Sequence, residues 1–187
     1  MRHARALVST VASGLIALSV LSQSAFSESL VLTQNEIARV LSHGPWPLHP
    51  TTDLSNRASG KPEAIALGRN LFFSPRLSAN GQTSCGSCHQ PARNFTDGMA
   101  RGEGFSTLDR NTLALQNLRY HRWFGWDGKS DNLWAQSIVP IVHADEMALQ
   151  ADTLVDVLSD PIFEPAYTTL FGSPAQHSSE QNLVNVG

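Results

Sequence analysis

Apolar residues along this chain recur mostly at helical spacing, in short stretches separated by long polar and proline-rich segments. Ala64, Leu67, Gly68 and Leu71 stand at i, i+3, i+4 and i+7, which places them on one helix face. Pro62 suits the first turn of that helix, where its missing N–H costs no hydrogen bond. Earlier, Thr33-Gln34-Asn35-Glu36 reads as a capping box opening a helix that ends near Gly44. Pro45, Pro47 and Pro50, followed by Thr51 to Gly60, predict an extended loop. Asp131 is placed to cap a helix from Asn132 to about Val142, which Pro140 should bend or end. Two more helices are expected, from about Thr153 to Leu158 before Pro161 and from Glu164 to Phe171 before Gly172. No segment alternates convincingly with the two-residue period of a strand, so the expected class is all-α.

The connections are as informative as the helices. Ala79-Asn80-Gly81 and Asp127-Gly128 are turn sequences. Pro91 to Asn117 is a long irregular segment rich in Gly, Arg and Asp, and loops of that length are usually functional or held by a ligand. Ser178 to Gly187 reads as a capped helix start that stops inside its own apolar pattern. The sequence is therefore expected to be part of a longer chain.

Composition changes the picture at one place. The chain has two cysteines, and both lie in Cys85-Gly86-Ser87-Cys88-His89. C-x-x-C-H is the pattern of covalent c-type haem attachment. Two thiols one helical turn apart can each form a thioether to a haem vinyl group, and the adjacent histidine then ligates the iron. Three other chemistries compete. A thioredoxin-like redox pair calls for a preceding strand, which the flanking Ala79-Asn80-Gly81-Gln82 and Gln90-Pro91 do not supply. A lone disulfide leaves His89 without a purpose. A zinc site needs more ligands nearby, and His121 and His143 are scattered.

The ends of the chain bear on where that chemistry would happen. Residues 1–27 carry Arg2 and Arg5, an apolar run from Ala6 to Leu21, and small residues at Ala25 and Ser27, the arrangement of a secretory signal peptide. Ser9, Thr10, Ser13, Gly14 and Ser19 interrupt the run, which falls short of a spanning helix. Cleavage after Ser27 would leave a periplasmic, exported chain of about 160 residues with no membrane span, enough for one domain with a real core. Losing Arg2 and Arg5 leaves 11 basic against 16 acidic residues, a net charge of −5. Nucleic acid and anionic membrane are poor partners for such a surface.

With these residues in view, the chain resembles the dihaem cytochrome c peroxidase family, MauG-type relatives included. The likeness runs from Ala64 onward through Leu67 to Ser78, Ser84-Cys85 to His89, Pro91 and Phe95-Thr96-Asp97-Gly98. Arg110-Asn111-Thr112, Trp126-Asp127-Gly128 and Glu146-Met147 follow in the family's order. The resemblance implies a cytochrome c-like fold and divides the chain into a signal peptide (1–27), a peroxidatic haem domain (28–175) and the start of a second haem domain (176–187). It implies haem c held by Cys85, Cys88 and His89, with a second haem expected in the whole protein. Glu146 matches the distal acid, Gln136 and Pro140 its pocket neighbours, and Trp126 the tryptophan between the haems. Asn111 matches a residue near an interdomain calcium site. The family also leaves a homodimer open.

Two departures stand out. No histidine occurs between His89 and His121, where many family members carry one that caps the resting iron, and the loop reads Arg101-Gly102-Glu103-Gly104-Phe105. No second C-x-x-C-H is present. The resemblance implies a peroxidase: hydrogen peroxide is the substrate, Glu146 moves its proton to the departing oxygen, and the second haem, fed by a small periplasmic cytochrome c or copper protein, supplies electrons through Trp126. A monohaem electron-transfer cytochrome, with Met99 or Met147 closing the iron, is the contrasting reading. A MauG-type oxidation of a partner's side chain and a haem binder without turnover complete the set.

Overall fold

The computed structural model describes residues 30–44 and 52–187, which fall in two compact units. The features expected at residues 1–27 and at Pro45, Pro47 and Pro50 lie outside the described residues. The first unit holds α1 (Gln34–Leu41). Its capping box forms as expected: the Glu36 N–H donates to Thr33 Oγ1 at 3.3 Å and the Thr33 N–H to the Glu36 carboxylate at 2.7 Å. No α1 residue is buried.

The second unit holds α2 (Pro62–Phe73), α3 (Cys85–Cys88), α4 (Leu133–Val142), α5 (Leu154–Leu158), α6 (Glu164–Phe171) and α7 (Ser179–Val186). Short 3-10 turns begin at Pro75, Pro91 and Pro174, where proline sets φ and has no N–H to leave unpaired. No strand forms among the described residues; Gln90–Thr96, Glu103–Thr107 and Phe124–Ser130 make only isolated bridges. The fold is all-α.

The periodic residues do what their spacing predicts. Leu67 and Leu71 of α2 share one apolar cluster with Leu154 and Leu158 of α5, Phe163, Tyr167 and Ile141. Fully burying a leucine stabilises the fold by about 1.5–3 kcal/mol, and Leu154 and Leu158 have no exposed surface. Gly68 departs from the expected face: it is exposed and lines a cavity of about 540 Å³ with Arg69, Phe72, Phe73, Pro91, Phe95 and Leu115.

Two further differences have local causes. Asn132, not Asp131, caps α4, because its Oδ1 accepts the Ala135 N–H at 2.8 Å. Pro140 neither ends nor unseats α4, which continues to Val142. The carbonyls of Pro140 and Ile141 accept N–H groups from Met147 and Leu149 at 3.0 and 2.9 Å, so the last turn is completed by the loop that returns after it.

Residues 176–187 lie in the same unit as the haem motif. Ser178 caps α7 through the Gln181 N–H, and Leu183 and Val186 pack on the core. The Tyr167 hydroxyl donates to Asn182 Oδ1 at 2.6 Å and accepts from Asn185 Nδ2 at 2.6 Å, while Asn182 Nδ2 donates to the Pro174 carbonyl. Every buried polar group in this knot has a partner, which ties α7 to α6.

Candidate haem site

One helical turn positions the three residues of the motif. Ser84 caps α3, its Oγ accepting the Ser87 N–H at 3.1 Å while the Ser84 N–H donates back to Ser87 Oγ at 3.0 Å. This second capping box stabilises a helix of a single turn, which propensity alone would not support. Cys85 and Cys88 are thereby held at i, i+3 on one side, both half-buried and both free thiols.

His89 is oriented from behind. Its Nδ1 lies 3.1 Å from the Phe95 carbonyl. A carbonyl only accepts, so Nδ1 carries the proton and the Nε2 lone pair is left for a metal. The carbonyl is delivered by a tight turn in which Asn94 and Phe95 both have positive φ, 56° and 59°. Such a conformation is costly for a bulky residue, roughly 1–3 kcal/mol. Closing bonds hold it: Phe95 N–H to Gln90 O at 2.9 Å, Thr96 N–H to Arg93 O at 3.1 Å and Gln90 N–H to Thr96 O at 3.3 Å.

Asp97 anchors the same turn. Its buried carboxylate accepts from Thr112 Oγ1 at 2.7 Å and from the Met99 N–H at 2.9 Å. Burial pushes its acidity toward higher pH, but these hydrogen bonds and nearby His89 outweigh it, and the pKa lies below the ordinary value. Two motifs distant in sequence, Phe95-Thr96-Asp97 and Arg110-Asn111-Thr112, thus form one support behind the histidine.

Glu146 comes from the loop that closes α4. Its N–H donates to His143 O at 3.1 Å, and Ala148, with φ 54°, turns the chain back to the same carbonyl. The carboxylate is half-buried, with 33% of the side chain exposed and Oε1 3.9 Å from His143 Nδ1. Burial raises its pKa; His143 and His89 pull it back and Asp145 adds to the rise. It lies within electrostatic range of both thiols as well.

Burial pushes the Cys85 thiol up to about 11, with Cys88 and Glu146 contributing in the same direction. The Cys88 thiol is also raised, by burial first and then by Asp97, Glu146 and Glu103. Among the described residues no three His, Cys, Asp or Glu side chains are grouped to hold a metal ion. Two thiols on one turn beside an imidazole whose Nε2 is left for a metal fit covalent haem c, which Cys85, Cys88 and His89 would hold.

Trp126, Gln136 and Asn111 make hydrogen bonds of their own. Trp126, 53% exposed, donates its indole N–H to the Asn111 carbonyl at 3.2 Å. Gln136 accepts from Ser130 Oγ at 2.9 Å and lies against Gly125, so it braces the loop that carries Trp126. The Asn111 side chain is near Thr112 O at 3.5 Å. His121 is exposed, and His177 bonds to the Phe171 carbonyl at 2.9 Å. The His89–Phe95 contact, the Asp97–Thr112 bond and the His143–Glu146 pair were not foreseen. Ser84 and Ser87, three apart before a histidine, were a readable signal for the cap of α3.

The sequence profile of the di-haem cytochrome c peroxidase family matches residues 62–186. The chain belongs to that family. It is 43% identical over 115 residues to a methylamine utilization protein MauG of Methylorubrum extorquens, covering 60% of this chain and 33% of that protein. A cytochrome c551 peroxidase of Nitrosomonas europaea is 30% identical over 112 residues, covering 57% and 33%. The crystal structure of the diheme peroxidase BthA of Burkholderia thailandensis superposes with a TM-score of 0.62 at 26% identity, over 67% of this chain and 36% of that one. A MauG-like protein associated with microbial copper homeostasis gives 0.61 at 26% identity, covering 76% and 45%. The chain thus spans about a third of the curated relatives' length. Family membership implies haem c as cofactor, and the fold is that of the diheme peroxidases.

Proposed function

We propose that this chain forms the peroxide-reacting haem c domain of a di-haem peroxidase, exported to the periplasm, with Glu146 as its acid–base residue. The observation that carries this reading is the half-buried Glu146 carboxylate, held within electrostatic reach of Cys85, Cys88 and His89 with its pKa raised by burial. Haem c supplies a redox-active iron able to bind and reduce peroxide. Cys85 and Cys88 would tether it, and His89 would ligate it through Nε2, since Nδ1 is committed to Phe95 O. A carboxylate with a raised pKa exchanges protons closer to neutral pH. Glu146 accepts the proton of hydrogen peroxide and returns it to the departing oxygen, and the nearby His143 imidazole tunes that exchange. Trp126 would relay electrons from the second haem of the whole protein, with Gln136 positioning its loop. The donor fits a small periplasmic cytochrome c or copper protein.

The methionine-closed electron-transfer reading is less well supported. Met147 is 3% exposed and packed in the aliphatic core, and Met99 is 53% exposed. Glu146→Gln in the haem-loaded protein should keep the covalent haem and slow the reaction with peroxide by about 10²-fold or more, read by stopped-flow absorbance. A parent-like rate would refute the assignment.

A further inference from the structure

The loop Arg101 to Thr107, where the capping histidine of other family members is absent, is joined to the chain on both sides of the site. Its Glu103 carbonyl lies 3.3 Å from Cys88 Sγ. One residue on, Gly104 meets the backbone of the acid–base loop. A Cβ at Gly104 would stand 2.5 Å from Asp145 O, 2.7 Å from Glu146 Cα and 2.9 Å from Glu146 O. All three are backbone atoms, so no flexible side chain can move aside. Gly104 is required for space, since its φ is not among the positive ones.

The next two residues close the contact. The Phe105 N–H donates to Glu146 O at 2.6 Å and the Ser106 N–H to Asp145 O at 3.0 Å. Ser106 Oγ donates to Asp145 Oδ1 at 2.6 Å. The loop is itself stiff: Gly104 N–H bonds to Ser106 O at 3.0 Å, Glu103 pairs with Thr107, and Gly102 exchanges bonds with Arg110 and Leu108 at 2.8 Å each. On its other side the Glu146 N–H bonds to His143 O at 3.1 Å, and Met147 is held by Pro140 O and the Ala79 N–H.

We infer that Gly104 and Ser106 are positioning residues that clamp the Glu146 backbone and thereby set where its carboxylate stands over the haem motif. The inference rests on the acid–base role proposed for Glu146. A misplacement of about 1 Å in a catalytic group costs up to about 10²-fold in rate. Both residues act through Glu146, so their effects should vanish once its carboxylate is gone.

The test is a double-mutant cycle on the haem-loaded chain, with the rate of reaction with hydrogen peroxide as readout and covalent haem content as control. Ser106→Ala should slow the reaction about 10-fold and Gly104→Ala about 100-fold, whereas Ser106→Thr, which keeps the hydroxyl, should stay within about 3-fold of the parent. In the Glu146→Gln background each change should alter the rate by less than about 2-fold. Full-rate Ser106→Ala, or equal slowing with and without the Glu146 carboxylate, overturns the clamp. If Gly104→Ala fails to load haem, the Ser106 variants decide alone. A Glu146→Gln protein reacting at the parent rate overturns both the clamp and the acid–base role, whereas a slow Glu146→Gln beside an unaffected Ser106→Ala sinks only the clamp.

Discussion

The helical half of the second unit and the loop that runs from His89 to Ser130 are stabilised by different physics. Among the helices, Leu67, Leu71, Leu154, Leu158 and Phe163 bury apolar surface, and the Tyr167–Asn182 knot is the one buried polar network among their described residues. In the loop, three isolated bridges, two successive residues of positive φ and the Asp97–Thr112 bond do the work of a core. The site sits where these two regimes meet. Cys85 packs against the apolar cluster, while His89 and Glu146 are oriented by backbone carbonyls and turns. The lesson is a division of labour: area sets how stable the domain is, and directional bonds set where its reactive groups point.

That contrast can be broken by substitutions on either side. The largest effect is chemical. Cys88→Ala removes one tether and should yield haem held by a single thioether, detected by an altered pyridine haemochrome spectrum; an unchanged spectrum would show that Cys88 is not a tether. Leu158→Ala should cost about 2–5 kcal/mol of stability, measured by denaturant unfolding, and leave the haem absorbance unaltered. A spectral change in that variant would mean that core and site are not separable.

Thr112→Val comes next, at about 1.5–3 kcal/mol, because it strips a hydrogen bond from a buried carboxylate. The folded Asp97 pKa is depressed, so the contribution is present above its unfolded value near 4 and is lost as pH falls through the folded one. The loss in Thr112→Val should therefore fade in acid, and a pH-independent loss would contradict the role given to Asp97. Glu146 has the opposite sign. Its folded pKa is raised, so it favours the fold below the unfolded value and that benefit is lost as pH rises through the folded one. Glu146→Gln should raise the melting temperature at neutral pH relative to the parent and lose that advantage near pH 4. Smallest is Ala148→Gly, expected to leave stability level or raise it by up to about 1 kcal/mol by relieving a left-handed alanine.

How much of this was readable follows the same line. The Thr33 capping box, Pro62, and the spacing of Leu67 and Leu71 announced α1 and α2 because those signals are local. The cap of α4 was misplaced by one residue, from Asn132 to Asp131, since both residue types can cap and only backbone geometry chooses between them. Pro140 was expected to bend or end α4. It sits inside the helix, whose last carbonyls are paired by residues 147 and 149 of the returning loop. Family order assigns Gln136 and Trp126 to the haem pocket, and only the structure shows their partners, Ser130 Oγ and the Asn111 carbonyl.

By itself the order of residues determined the class of the fold, the one-turn pair of thiols beside an imidazole, and the family to which they belong. Each depends on neighbours within a turn or two, or on motifs whose order can be read along a line. Only the folded chain decided that the Phe95 carbonyl selects the His89 tautomer, that Thr112 holds Asp97, and that Gly104 lies against Glu146. The Thr112–Asp97 and Gly104–Glu146 contacts join separate segments, and the His89–Phe95 contact needs a turn of positive φ and a carbonyl that every residue carries, so none of them is written in the side-chain pattern.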